Sequence, residues 1–188
     1  YFSLKGKPLN ALDADMKKIK DNEEFKNVTT MLNLDLGSDN QNLTHDMIVC
    51  AQDADLDGQH IMALLLAFFK RFTPSLIKEG KLGYLRTPLY FAKKKDKIVK
   101  YFFTMEEYRE FESKNPNHGL HFNYVKGLGT WEAEDLRYLF NSEGIEHFIK
   151  PFEFDDRTFN MIDNWMSTKT VDYRKNSLRG REFNIDAV

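Results

Sequence analysis

The spacing of apolar residues along the chain predicts strands that alternate with helices. The run 47–51 is short, apolar and β-branched, which is typical of a strand buried on both faces, and an apolar helix follows over about 59–72 until Pro74 bends or restarts it. Further strands are predicted over 1–4, 82–87 and 120–125, a loop over 34–44, and helices over 13–34, 104–115, 131–140, 155–166 and 170–178. This alternation favours an α/β fold with a parallel sheet flanked by helices.

Turn and cap signals divide the chain further. Residues 88–103 resemble a β-hairpin inserted into the main fold, with the sequence KKKDK (93–97) as its solvated tip. Thr104 and Glu107 have the spacing of a capping box, so a helix is expected to start there. We therefore expect a main domain over 1–150 that contains this hairpin, and a helical C-terminal tail over 151–188.

Composition permits a real hydrophobic core and narrows the class of protein. The 188 residues are 41% apolar, and 27 basic and 29 acidic side chains give a net charge of −2. Charge is uneven, since 69–100 holds ten basic and two acidic residues while 105–156 holds five and twelve. Cys50 is predicted to be a buried hydrophobe, and as the single cysteine it excludes an internal disulfide.

The sequence also gives expectations about the cellular location of the protein and about whether the chain is a fragment. The longest apolar stretch, 61–69, is far shorter than the roughly 20 residues that cross a bilayer, and no signal-peptide pattern opens the chain. We expect a cytoplasmic protein with no membrane partner. Because the chain starts at Tyr1 and not at a methionine, we also expect a fragment of a longer protein.

The densest chemistry lies in the sequence DADLDG. In extended backbone every second residue faces the same side, so Asp53, Asp55 and Asp57 are expected to converge at the carboxyl end of the strand. Crowded carboxylates repel unless a divalent cation neutralises them, and oxygen-only ligands suit Mg²⁺ or Mn²⁺ with phosphate as a further ligand. Phosphoryl transfer is implied, with Gly58 allowing a substrate backbone to approach closely. His60 is interpreted either as a phosphate donor or as a cap of the first helical turn.

Three alternatives to a Mg²⁺ site differ in the residues that they require. A calcium-binding EF-hand loop requires glutamate at the twelfth position, where this chain has Leu64, and a preceding helix in place of the strand. A phosphatase nucleophile lacks its expected threonine or lysine context. A solvated acidic turn remains the structural alternative.

Three ordered motifs resemble the Toprim region of type II DNA topoisomerases. DADLDGQHI (53–61) matches the metal motif of that family, LKGKPLN (4–10) is similar to the basic turn after its catalytic glutamate, and YVKGLGT (124–130) is similar to its KGLG signature. The likeness extends over nearly the whole chain. The mix of motifs resembles the separately encoded large or medium subunit of T-even-like bacteriophage topoisomerases, and it is also similar to eukaryotic topoisomerase II and the B subunit of gyrase.

The resemblance implies a Rossmann-like Toprim fold and an ATP-dependent enzyme that cuts and reseals both strands of a duplex. Asp53 and Asp55 would be the main Mg²⁺ ligands and Asp57 would complete the acidic cluster, with Mn²⁺ or Ca²⁺ able to substitute in binding. The residues expected to lie near DNA are Lys5, Lys7, His60, Lys126, Gly127 and Gly129. The alternative interpretation of Lys126 is a surface lysine in a turn, without a role in DNA binding.

Departures from the family pattern define the expected partners. The glutamate that precedes the basic turn in the family has no counterpart here, since Asp13 and Asp15 follow the turn, and no ATP-binding signature appears. The attacking tyrosine is expected on another subunit and the ATPase on another domain or subunit. Gln52 stands where relatives usually carry threonine. A Toprim-type nuclease or primase, and a noncatalytic assembly module, are the alternative functions.

Overall fold

The structure is a computed structural model that describes residues 1–39, 43, 45–53 and 55–180. The α-helices are α1 (Met16–Asp21), α2 (Glu23–Leu32), α3 (Leu56–Phe72), α4 (Pro74–Lys78), α5 (Met105–Lys114), α6 (Ala133–Glu143), α7 (Ile145–Phe148), α8 (Thr158–Met166) and α9 (Val171–Leu178). The strands are β1 (Ile48–Cys50), β2 (Leu82–Leu85), β3 (Tyr90–Lys94), β4 (Lys97–Phe102), β5 (Phe122–Tyr124) and β6 (Ile149–Pro151). Short 3₁₀ helices cover Leu128–Thr130 and Thr168–Thr170.

The strands form two three-stranded sheets. One has the order β1-β2-β6 and the other the order β4-β3-β5. In the second sheet β3 pairs antiparallel with both neighbours, and a register irregularity lies between Ala92 and Lys93. The predicted hairpin over 88–103 is therefore confirmed, and the predicted strand over 120–125 becomes the third strand of its sheet.

The chain divides into two compact units. The first unit contains the described residues of 1–50 and 60–83 together with 151–180, and the second contains those of 51–59 and 84–150. The core of the first unit includes Phe25, Leu76 and Ile77 together with three phenylalanines of α3, Phe68, Phe69 and Phe72. The core of the second unit includes Phe91, Ile98, Val125, Trp131, Leu139 and Phe148.

Local chemistry explains several boundaries. The Thr104 hydroxyl accepts a hydrogen bond from the Glu107 N–H at 3.1 Å, and the Glu107 carboxylate accepts from the Thr104 N–H at 3.2 Å, so the predicted capping box is present at the start of α5. Pro74 occupies the first turn of α4, where its missing N–H is not needed. The burial of Cys50 is also confirmed.

Four elements differ from the expectation. The predicted helix over 13–34 is two helices, because Asn22 ends α1 and its side chain caps α2 by accepting from Phe25 N–H. Residues 1–4 form no strand; Phe2 and Leu4 pack on the first core without a strand partner. The helix α7 and the strand β6 were not predicted. Part of the predicted 34–44 loop (40–42 and 44) and the end of the tail (181–188) lie outside the described residues.

The fold is therefore mixed α/β with small sheets, as expected in its class, and with the β insertion in place. The boundary at residue 150 stays a prediction, although the described tail residues Phe152 and Phe159 pack against the core of the first unit. Across the described part of the chain, no helix has the length and apolar character needed to cross a membrane.

Candidate metal and nucleic-acid site

The start of α3 is built by Asp55. Its carboxylate oxygen Oδ1 accepts a hydrogen bond from the Gly58 N–H at 2.8 Å, and its carbonyl accepts from the Gln59 N–H at 3.0 Å. This is the geometry of an aspartate at the N-cap of a helix, where the side chain satisfies a backbone donor that has no partner within the helix. The helix therefore starts at Leu56, about three residues earlier than predicted.

This cap corrects the expected geometry of the three aspartates. The strand β1 ends at Cys50 and α3 begins at Leu56, so the alternation that would align Asp53, Asp55 and Asp57 on one side of a strand does not extend to Asp57. Asp57 lies in the first turn of α3, where its negative charge suits the positive end of the helix dipole. The expectation of a shared strand face was wrong because capping by Asp55 outweighs continuation of the strand.

Gly58 is required by the backbone of this chain. A Cβ atom at this position would lie 2.0 Å from the carbonyl oxygen of Asp53, a distance that no side chain can occupy. The space expected for a substrate is therefore filled by the chain itself.

Asp53 joins two motifs that are distant in sequence. Its Oδ1 accepts a hydrogen bond from the Leu128 N–H at 2.6 Å, across a separation of 75 residues. Gly127 packs directly against the same carboxylate, since a Cβ there would lie 2.8 Å from Asp53 Cγ and 2.9 Å from Oδ2. The DxDxDG and KGLG motifs thus meet within the second unit.

The KGLG loop has a defined shape around this contact. Val125 before the loop is buried, whereas Lys126 is exposed. Gly127 begins the turn over Leu128–Thr130, in which the Thr130 N–H and hydroxyl both donate to the Gly127 carbonyl, at 3.0 and 2.5 Å. Gly129 is exposed, and a Cβ there would meet no described atom within 4 Å.

The remaining predicted DNA-binding residues are exposed. Lys5 and Lys7 lie in the first unit, where the Lys5 N–H donates to Glu24 Oε1 at 2.8 Å. His60 is exposed in the second turn of α3, so it does not cap the first turn.

The donor set at this site fits a hard cation in chemistry but is not a closed cage. Asp53 and Asp55 are exposed, and each carboxylate accepts a hydrogen bond from a backbone N–H at its Oδ1 atom. These two hydrogen bonds do not involve the Oδ2 atoms. Within the described residues, no group of three His, Cys, Asp or Glu side chains is placed to hold a metal ion. Carboxylate oxygens are the ligand type that Mg²⁺ takes from one or two side chains, with water and phosphate completing its shell.

Gln52 and Trp131, which adjoin the two motifs in sequence, each bury a polar atom, and the sequence alone did not reveal this. Gln52 Oε1 and Trp131 Nε1 are buried and have no hydrogen-bond partner in the described structure. The Leu128 N–H is equally silent in sequence, because a backbone donor exists at every residue except proline. The glycines around Leu128 were the available signal that a backbone group approaches closely there.

Comparisons with known proteins identify the family of this chain. The family model described as the C-terminal associated domain of TOPRIM matches residues 85–186. DNA topoisomerase 2 of Plasmodium falciparum is 34% identical over 93% of this chain and 13% of that protein, and DNA topoisomerase 2 of Acanthamoeba polyphaga mimivirus is 32% identical over 96% of this chain and 15% of that protein. This chain therefore spans a small part of the relatives that it matches.

A solved structure gives the same result at the level of the fold. The crystal structure of the Plasmodium falciparum topoisomerase II DNA-binding, cleavage and re-ligation domain superposes with a TM-score of 0.83 and 32% identity, covering 94% of this chain and 25% of that one. Since the family model covers more than half of the chain, and the relatives agree with it, the chain belongs to the family of TOPRIM C-terminal associated domains and is homologous to type II DNA topoisomerases.

Proposed function

We propose that this chain is the Toprim part of an ATP-dependent type II DNA topoisomerase, where it binds Mg²⁺ and positions the scissile phosphate of double-stranded DNA. The observation that carries the proposal is the contact between Asp53 and the KGLG loop, which brings exposed carboxylates and the exposed Lys126 of a glycine-containing loop into one compact unit. In the proposed complex the sheet β1-β2-β6 belongs to the parallel Toprim sheet.

The aspartates have distinct tasks in this proposal. Asp53 and Asp55 are the main metal ligands, held in place by the backbone donors Leu128 N–H and Gly58 N–H, and Asp57 adds negative charge to the cluster. Bound Mg²⁺ supplies electrostatic stabilisation of the charge that develops on a phosphate oxygen. Fixed backbone hydrogen bonds matter here because a preorganised carboxylate loses little freedom when it binds its ligand.

The KGLG loop would meet the DNA backbone. Lys126 is exposed and carries the positive charge, and a Cβ at Gly129 would meet no atom of the described residues within 4 Å, nor does its backbone have the positive φ that favours glycine. A glycine without an internal reason leaves room for an external group, and phosphate oxygens accept hydrogen bonds from backbone N–H groups in such loops. Lys5, Lys7 and His60 are proposed as further DNA contacts.

Other chains complete the enzyme in this proposal. The attacking tyrosine comes from another subunit or domain, and ATP binds to a domain outside these 188 residues. The assembled enzyme acts in the cytoplasm, and this chain alone is inactive.

Metal binding is tested with substitutions that keep each hydrogen-bond acceptor. Asp53→Asn and Asp55→Asn preserve an oxygen for the Leu128 and Gly58 donors but remove the charge. We expect calorimetric titration with Mn²⁺ to show saturable binding that weakens by at least about tenfold in either variant. Asp15→Asn is the matched control, because Asp15 also caps a helix, accepting from the Lys17 N–H at 2.7 Å. Equal binding by all three variants would refute the metal role.

Catalysis is tested by reconstitution. The chain is mixed with candidate tyrosine-bearing and ATPase subunits, and supercoil relaxation is followed with Mg²⁺ and ATP. Asp55→Asn is expected to abolish relaxation, whereas Asp15→Asn retains it. Undiminished relaxation by the Asp55 variant would remove this residue from the mechanism.

A further inference from the structure

The tip of the β3–β4 hairpin has a backbone conformation that its residues disfavour. The two residues of the turn, Lys95 and Asp96, have φ of 51° and 61°. Two-residue hairpin turns with positive φ at both positions favour Asn-Gly or Asp-Gly, since glycine has no Cβ to clash with the backbone. A lysine and an aspartate at these positions cost stability, and such costs tend to persist where function requires the side chains.

The strand residues next to the turn add a second cost. Lys94 and Lys97 are direct partners in the β3–β4 register, so two like charges face each other across the ladder. Directly opposed like charges destabilise an antiparallel pair. Both lysines are exposed, as is Lys95 between them.

These three lysines differ from their neighbour Lys93. The ammonium group of Lys93 lies 2.6 Å from Oδ2 of Asp135, whose side chain is 7% exposed, so Lys93 serves the internal structure of the second unit. Lys94, Lys95 and Lys97 form no ion pair with any residue in the described ranges. Three lysines less one aspartate, Asp96, leave a local charge of +2 on 94–97.

From these observations we propose that the hairpin tip, defined as residues 94–97, is an auxiliary contact for the phosphate backbone of a nucleic acid. Lysine side chains are long and flexible, so each of the three ammonium groups on this tip can reach a phosphate of the backbone. Backbone contacts of this kind add affinity without reading sequence.

This inference rests on the proposed function for the identity of its ligand, but it requires no metal. The test measures equilibrium binding of the whole 188-residue chain to a short DNA duplex. Fluorescence anisotropy detects the binding, in EDTA and at salt concentrations between about 50 and 200 mM. Loss of metal binding by the aspartate variants leaves this measurement unaffected, so failure of one proposal is separable from failure of the other.

The variant replaces Lys94, Lys95 and Lys97 by Gln. We expect affinity at low salt to fall at least about tenfold and the slope of log affinity against log salt to shrink by about 2 to 3, because each lost phosphate contact removes about 0.9 from the slope. The matched control replaces Lys17, Lys18 and Lys20 of α1, which are also exposed, and removes the same charge. It is expected to retain most of the affinity and slope.

Further arms separate the proposal from its competitors. Arginine at the same three positions restores binding if charge is the cause. The single variants Lys94→Gln and Lys97→Gln, each expected to reduce the slope by about one, keep the test valid if the triple variant unfolds. The inference is overturned by an unchanged slope, by equal losses in both triple variants, by failure of arginine to restore binding, by absence of DNA binding in the unsubstituted chain, or by equally tight, hairpin-dependent binding of polyglutamate.

Discussion

At the scale of single residues, the geometry around Asp53 depends on two glycines that have no Cβ atom. Gly58 and Gly127 both lie where a Cβ would enter the space of Asp53, its carbonyl oxygen in one case and its carboxylate in the other. Neither of these glycines has a left-handed backbone, so close approach and not conformational freedom explains them. The position of this carboxylate is consequently set by packing as well as by a hydrogen bond.

Gly127→Ala is expected to lower the free energy of unfolding by about 1–3 kcal/mol, because its methyl group would overlap the Asp53 carboxylate. It should also weaken Mn²⁺ binding by displacing that carboxylate. Gly129→Ala is the control within the same loop, since its Cβ would meet no described atom within 4 Å. Urea unfolding of the two variants measures the difference, and equal stabilities would contradict the packing described here.

At the scale of elements, hydrogen bonds at helix ends determine where structure begins. Thr104→Ala removes the hydroxyl that accepts from the Glu107 N–H, and we expect a loss of about 1 kcal/mol in the free energy of unfolding. Ser113→Ala in the same helix removes a hydroxyl that donates to the Glu110 carbonyl at 2.8 Å, a bond that adds little to a helix. A larger loss from the Ser113 change than from the Thr104 change would contradict the role of the cap.

The hairpin turn yields a prediction of opposite sign. Asp96→Gly should raise the free energy of unfolding by about 1 kcal/mol, because glycine adopts the φ of 61° without a steric penalty. All three tip lysines remain in this variant, so the salt dependence of DNA binding is expected to persist. Thermal unfolding measures the gain, and a lowered midpoint would show that Asp96 contributes an interaction that outweighs its backbone cost.

Elements with local signals were predictable, whereas those that depend on distant partners were not. The capping box of α5, the hairpin over 88–103 and the restart at Pro74 follow from neighbouring residues, and each is present. Residues 1–4 have the alternation of a strand but no partner, and β6 is too short to be recognised without the sheet that it joins. Periodicity reports which face is buried, and it does not report pairing.

The candidate site shows the same division. The letters of DxDxDG and KGLG indicated chemistry, and the sequence placed both near a strand end, but the bond between Asp53 and the Leu128 N–H joins a side chain to a backbone group 75 residues away. The helical position of Asp57 did have a local signal, because an aspartate three residues before a glycine at the start of an apolar helix is a favourable N-cap. The predicted strand alternation was extended past this N-cap to Asp57, which lies in a helix.

At the scale of the whole molecule, the N-terminal segment and the C-terminal helices are joined by polar contacts in the first unit. The Asn10 amide donates to the Met166 carbonyl at 2.7 Å, and Asp13 Oδ2 accepts from the Ser167 hydroxyl at 2.7 Å and the Thr168 N–H at 2.6 Å. Arg71 of α3 donates to the carbonyls of Ala11 and Ala14. Residues up to 156 positions apart therefore stabilise one another.

The stability that these contacts between the N-terminal segment and the C-terminal helices provide depends on pH through Asp13. The hydrogen bond from Ser167 is the main cause that holds the pKa of the Asp13 carboxyl below its usual value of 3.8. Burial is the second-largest effect and raises this pKa, and the Thr168 bonds and the charge of Lys169 lower it further. A pKa that is lower in the folded than in the unfolded state stabilises the fold above the unfolded value. This contribution is lost as the pH falls through the folded pKa.

Asp13→Asn is expected to lower the free energy of unfolding at neutral pH by about 1 kcal/mol, since hydrogen bonds to a charged acceptor become bonds to a neutral one. The difference from the unsubstituted chain should shrink below about pH 4, because the Asp13 carboxyl becomes protonated first in the unfolded chain and then, at lower pH, in the folded chain. Urea unfolding across pH 3–7 measures it, with Asp156→Asn, an exposed position outside this network, as control. A difference that stays constant across that range would mean that the shape of the side chain, and not its charge, closes the first unit.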